Sequence, residues 1–126
     1  MGKYVVKQTK TGVKFDLKAT NGQTIATSEV YNSNGACRDG IESVRKNAPR
    51  ASVENQTIEG YVTEKNPKFE IYRDKVGEFR FRLKARNGQI IAVSEGYTTL
   101  MNCEKGIDSV KRNASDAEIV KEYDLQ

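Results

Sequence analysis

The chain has 126 residues, of which 30% are charged and 37% hydrophobic, with two cysteines, no histidine and a formal net charge of +4. This balance suits a folded domain and argues against disorder, and no apolar run approaches the roughly 18 residues of a membrane span. The missing histidine removes Ser/His and Cys/His catalysis and most zinc centres, while the cationic excess favours anionic partners.

Offset by 66 positions, the chain matches itself: Leu17-Lys18-Ala19, Asn21-Gly22-Gln23, Ile25-Ala26 and Ser28-Glu29-x-Tyr31 recur as Leu83-Lys84-Ala85, Asn87-Gly88-Gln89, Ile91-Ala92 and Ser94-Glu95-x-Tyr97. Cys37, Gly40-Ile41, Ser43-Val44 and Asn47-Ala48 recur as Cys103, Gly106-Ile107, Ser109-Val110 and Asn113-Ala114. An ungapped match of this length marks a duplication. A unit of about 60 residues is marginal alone, so the two copies are expected to share one core. The boundaries read as repeat one over 3–57, a polar connector over 58–67 and repeat two over 68–124, within one pseudo-twofold domain.

In chain order, each copy reads as strand, strand, strand, helix, strand. Tyr4-Val5-Val6-Lys7 precedes Val13–Ala19, and Phe69–Tyr72 precedes Phe79–Arg86, each pair joined through turns near Gly12 and Gly77. Phe79-Arg80-Phe81-Arg82-Leu83-Lys84 alternates apolar and cationic at period two, which buries one face and charges the other. At Asn87-Gly88 a three-residue loop, Arg86-Asn87-Gly88 with a left-handed glycine, is expected to pair Leu83 with Ile91 and Phe81 with Val93. The same bulged turn is expected at Asn21-Gly22.

Helices are predicted from about Asn34 to Lys46 and from about Leu100 to Arg112, with Ser33 and Thr99 as N-caps. Cys37, Ile41 and Val44 form a buried stripe that Cys103, Ile107 and Val110 repeat. Gly40 and Gly106 lie inside these helices, where glycine costs about 1 kcal/mol relative to alanine, so a close approach is expected there. Asn47 and Asn113 are read as left-handed residues ending the helices, with Pro49 blocking continuation in the first copy. Ala51–Thr57 and Glu118–Tyr123 follow as final strands.

These repeated segments resemble the YegP-like proteins, bacterial chains built from one or two copies of a short domain of unknown function. The resemblance covers nearly all of the chain outside the connector and the extreme ends. It implies an α+β fold of two β-β-β-α-β repeats forming one antiparallel sheet, with both helices on one face and the last strands exchanged between repeats. Val53–Thr57 would then pair with the second unit and Ile119–Tyr123 with the first. The family supplies no catalytic residues to transfer.

The residues themselves offer little for catalysis. Cys37 and Cys103 sit on the predicted buried stripe and read as packing thiols of a cytoplasmic protein. Glu29 and Glu95 could meet across the pseudo-twofold axis as acid and base, against the plainer reading of solvated carboxylates near a helix start. Ser28 and Ser94 lack a neighbouring base other than lysine, and Tyr31 and Tyr97 read as packing anchors. No catalytic residue, metal ligand or cofactor is assigned.

One surface carries a binding hypothesis. With both helices on one side, the opposite side is expected to present Lys14, Lys18, Arg80, Arg82, Lys84 and Arg86, with Tyr4 and Tyr72 beside them. Cations interleaved with aromatics suit single-stranded nucleic acid or another polyanion. An uncovered antiparallel sheet also needs charge simply to stay soluble. The expectation is a non-enzymatic binding or accessory module of unknown partner, with nucleic acid or another polyanion as the alternative, no membrane partner, and a monomeric pseudo-dimer in place of an obligate oligomer.

Overall fold

A computed structural model describes residues 2–122. The elements are β1 (Lys3–Gln8), β2 (Val13–Lys18), β3 (Thr24–Thr27), α1 (Asn34–Asn47), β4 (Ser52–Asn55), β5 (Lys68–Arg73), β6 (Phe79–Lys84), β7 (Ile90–Val93), α2 (Leu100–Ala114) and β8 (Glu118–Lys121), with a short 3-10 turn at Ala48–Arg50. The expected extension of the last strand to Tyr123, and of repeat two to residue 124, lies outside the described residues.

All eight strands form one sheet in the order β4-β5-β6-β7-β3-β2-β1-β8. The halves join where Thr27 of β3 pairs antiparallel with Val93 of β7. The last strands are exchanged: β4 lies against β5 of the second repeat, and β8 against β1 of the first. Both edge pairings are parallel, while the inner ladders are antiparallel. A parallel neighbour demands a long crossover, and residues 56–67 supply it between β4 and β5.

Alternation explains why one face is core. Phe79, Phe81 and Leu83 of β6, Phe69 and Ile71 of β5, Phe15 and Leu17 of β2 and Tyr4 of β1 point inward. They meet Cys37, Ile41 and Val44 of α1 and Cys103, Ile107 and Val110 of α2 in a single cluster, so both helices cover the same side. Each helix spans the pseudo-twofold axis: α1 contacts β2 and β7, and α2 contacts β6 and β3. The hydroxyls of Ser33 and Thr99 accept from the backbone N–H groups of Ala36 and Asn102, capping the two helices as their sequence positions predict.

Three local expectations are corrected. The Arg86-Asn87-Gly88 loop forms, with Gly88 at φ 87° and its N–H on the Ala85 carbonyl at 2.9 Å, yet Leu83 pairs with Ala92 and Arg82 with Val93. A bulge between Leu83 and Lys84 inserts Ile91 as an extra residue, so Ile91 and Ala92 both enter the core. Second, Asn47 is right-handed (φ −91°), and no non-glycine residue among those described has positive φ. Its side chain instead donates to the Ser43 carbonyl at 2.8 Å and accepts from the Arg86 N–H at 3.3 Å, tying α1 to the hairpin of the other repeat. Third, Pro49 does not stop the helix outright, because it sits inside the 3-10 turn that continues it.

The glycines inside the helices have a concrete role. A Cβ on Gly40 would collide with the Tyr31 hydroxyl and lie 2.7 Å from its Cζ, and one on Gly106 would meet Tyr97 in the same way. Each tyrosine ring stacks on a core phenylalanine, Tyr31 on Phe15 and Tyr97 on Phe81, with near-parallel planes 8° and 14° apart. The close approach is therefore between helix backbone and a tyrosine.

Candidate anion-binding face

Period-two alternation places Lys3, Val5 and Lys7 of β1, Lys14, Asp16 and Lys18 of β2, Lys68, Glu70 and Tyr72 of β5, and Arg80, Arg82 and Lys84 of β6 on the side away from the helices. Two of the expected members are elsewhere. Tyr4 is fully buried on the helix side, edge-on to Phe15, and its hydroxyl donates to the Ala114 carbonyl at 2.7 Å. It alternates with Val5, so a ring packed in the core cannot also face outward. Arg86 lies beyond the end of β6, in the hairpin loop that faces α1.

The remaining cations are organised around carboxylates. Asp16 receives Lys7 at 3.0 Å, Lys14 at 3.3 Å and the Thr27 hydroxyl at 2.6 Å. Glu70 receives Arg82 at 2.6 Å and both Lys68 and Lys84 at 3.3 Å, and Arg80 is held by Asp74 at 2.6 Å. Burial pushes the carboxyls of Asp16 and Glu70 up, but their hydrogen-bonded and charged partners outweigh it and hold both below the usual range. Among the described residues, Lys18 has no such partner. The Arg82 guanidinium sits over the Tyr72 ring, 4.4 Å from its centre, so that ring is already occupied.

The two ends of this face differ. At the second-repeat end the crossover folds over it: the Glu64 N–H donates to Glu54 at 2.7 Å, and Lys68 reaches the same carboxylate at 2.8 Å. Glu54, Lys68 and Glu70 are consequently buried, at 2%, 7% and 3% exposure, where a wholly bare sheet was expected. Burial raises the Glu54 carboxyl, but bonds from Lys68, Gln56 and the Glu64 N–H prevail and bring it down to about 2. At the first-repeat end the matching positions are Val5 and Val120, paired across β1 and β8. The sequence reading missed Lys3, Lys7 and Lys68, although Lys3-x-Val5-x-Lys7 alternates as plainly as β6 does.

The other residues weighed for chemistry resolve locally. Ser28 and Ser94 each accept from a core-strand N–H, of Phe15 at 2.9 Å and Phe81 at 2.8 Å, and donate to the next carbonyl. Glu29 and Glu95 are exposed; Glu95 joins Lys14, Asp16 and Thr27 around a cleft of about 180 Å³ near the axis, and Glu29 is not in its wall. Cys37 and Cys103 are buried free thiols, and burial pushes both up, Cys103 to about 11. Among the described residues no helix is long and apolar enough to cross a membrane.

Comparison with known proteins bears on this arrangement. A profile for a domain of unknown function, DUF1508, matches residues 10–55 and again 74–120. YegP of Yersinia pestis is 36% identical over 126 residues, covering 99% of this chain and 98% of its own. A protein of Methanosarcina acetivorans is 62% identical over 53 residues, which is 91% of its length and 42% of this chain. The solution structure of Escherichia coli YegP, a protein of unknown function, superposes with a TM-score of 0.78 at 34% identity, covering 96% of this chain and 92% of that one. With both repeats matched and the whole fold shared, the chain belongs to the DUF1508 family of YegP-like proteins.

Proposed function

We propose that this protein is a non-enzymatic binding module whose partner is a polyanion held on the helix-free face of the sheet. The observation that carries the reading is charge stoichiometry. Asp16 serves two lysines, and Glu70 is shared by three cations, one of which also serves Glu54. Lys18 is left over. The carboxylates position the cations without neutralising them, so a partner carrying spaced negative charges meets a net positive lattice.

Two features narrow the partner. Tyr4 is buried and Tyr72 lies under Arg82, so the face offers neither ring for stacking on bases. Recognition therefore rests on the phosphate backbone and is insensitive to sequence. The crossover shields the β4–β5 end and buries Lys68, which leaves Lys3, Lys7, Lys14, Lys18, Arg80, Arg82 and Lys84 as the accessible set.

Fluorescence anisotropy of a labelled oligo-dT, repeated with oligo-dA and inorganic polyphosphate, tests this. Similar affinities that weaken with salt at a slope of about −0.7 per phosphate contacted are expected. Absence of binding at low salt overturns the proposal.

A further inference from the structure

On the other side of the sheet, where α1 ends against the β6–β7 turn, a cleft of about 600 Å³ opens. That volume falls within the range of small-molecule sites, about 300–1,000 Å³. We infer that this cleft binds a small phosphate-bearing molecule, gripped by Lys46, Arg50 and Arg86. The three cations come from three different segments: the last turn of α1, the 3-10 turn after it, and the hairpin loop of the second repeat. All three are exposed, and among the described residues none of their side chains is engaged by a carboxylate, unlike most cations of the sheet face. Two arginine forks beside a lysine suit the bidentate geometry and charge of a phosphate.

The wall that carries these groups is fixed. Asn47, 8% exposed, bridges the Ser43 carbonyl and the Arg86 N–H, so the loop bearing Arg86 is tied to the helix bearing Lys46. Negative charge does oppose an anion here. Asp39 and Glu42 stand on the rim, and the helix end adds roughly half a negative charge. Glu42, however, is taken up by Arg45 at 2.7 Å, which leaves the cations in excess.

The pseudo-twofold supplies an internal comparison. The matching cleft, about 490 Å³, between α2 and the β2–β3 turn has Arg112 for Lys46, but Asp116 for Arg50 and Thr20 for Arg86. The strand–helix framework and the hairpin are the same, although α2 ends at Ala114 without the 3-10 turn that follows α1, and here the charge of the lining is balanced. The cationic set is therefore not something the repeat needs in order to fold.

Titrating 15N-labelled full-length protein with sodium pyrophosphate, at ionic strength held constant with sodium chloride, tests the assignment. Saturable one-to-one shifts are expected at the amides of Asn47, Arg50, Arg86 and Asn87, with Asn21, Asn113 and Asp116 unmoved. The Arg50→Asp/Arg86→Thr double variant, which copies the balanced cleft, should bind at least tenfold more weakly. Introducing Thr20→Arg with Asp116→Arg into the native chain should create a second site. Should either pair disturb the rest of the spectrum, Lys46→Ala, at an exposed helix position, replaces it and should weaken binding severalfold. Non-saturating shifts common to both clefts, or unchanged affinity in the variants, would overturn the inference.

Discussion

Arg45 of the first repeat donates from Nη2 to the carbonyl oxygen of Ala117, at the entry to β8, at 2.7 Å. Its guanidinium also covers the Tyr4 ring, 5.4 Å from the centre. Lys111 repeats the arrangement in the second copy, donating to Ala51 at 2.8 Å over the ring of Phe69. Each helix thus pins the exchanged strand that arrives from the other repeat.

Removing that pin should be costly, because Ala117 is fully buried and its carbonyl would lose a charged donor. Arg45→Ala is expected to destabilise the protein by about 1.5–3 kcal/mol in urea unfolding, with Lys111→Ala similar. Glu42→Ala, which breaks only the exposed pair within α1, should cost less than about 0.5 kcal/mol. Equal effects of Arg45→Ala and Glu42→Ala would show that the strand contact carries no weight.

Gly40→Ala sets helix propensity against packing. Alanine gains about 1 kcal/mol in the helix, whereas its methyl group meets the Tyr31 ring, itself stacked on Phe15. Overpacking of this kind costs about 1–3 kcal/mol, which exceeds that gain, so a net loss of about 1 kcal/mol in thermal or urea unfolding is expected. Tyr31→Phe in the same background should recover part of it by removing the hydroxyl. A stabilised Gly40→Ala variant would refute the contact.

The buried Glu54–Lys68–Glu70 cluster makes stability depend on pH in the acid range. Glu54 is held at about 2, below its unfolded value, and Glu70 and Asp16 are also lowered. A depressed carboxyl contributes its full stabilisation above the unfolded pKa, near 4.5, and loses it as pH falls toward the folded value. Unfolding free energy should therefore be flat from about pH 7 to 5 and fall between about 5 and 2. Glu54→Gln should cost about 2–3 kcal/mol at neutral pH, because Lys68 retains Glu70, and should flatten the acid slope. An unchanged slope would remove Glu54 from the explanation.

The two thiols should be inert in the native state. Both are buried and shifted up, so alkylation by iodoacetamide at pH 8 should track global unfolding and be slowed in step with added stability. Rapid modification of Cys37 or Cys103 without unfolding would point to an accessible, reactive cysteine instead.

Elements whose residues alternate or recur at helical spacing were legible in the sequence: β6, both helix stripes, the caps Ser33 and Thr99, and the bulged turn at Gly88. Repetition itself made the shared core legible. What stayed hidden depends on partners distant in the chain. Asn47 looked like a helix terminator because its role needs Arg86, 39 residues away. The register slip at Ile91 depends on a bulge that apolar alternation does not encode. Tyr4 was misplaced because in Tyr-Val-Val-Lys either alternate set could face the core. On the charged face, alternation placed Lys14, Lys18, Arg80, Arg82 and Lys84 on one side, but Asp16, Glu54 and Glu70, which organise the cations there, gain that role only when β1, β4 and β6 come alongside.

Amide shift mapping of the 15N-labelled protein with an unlabelled oligo-dT at low salt tests polyanion recognition by the helix-free face most directly. Shifts should concentrate on β2 and β6, around Lys14, Lys18 and Lys84, and reverse as salt is raised to about 0.3 M, since this binding is driven by counterion release. Shifts confined to the outer surfaces of α1 and α2, or a spectrum that does not change at low salt, would contradict it.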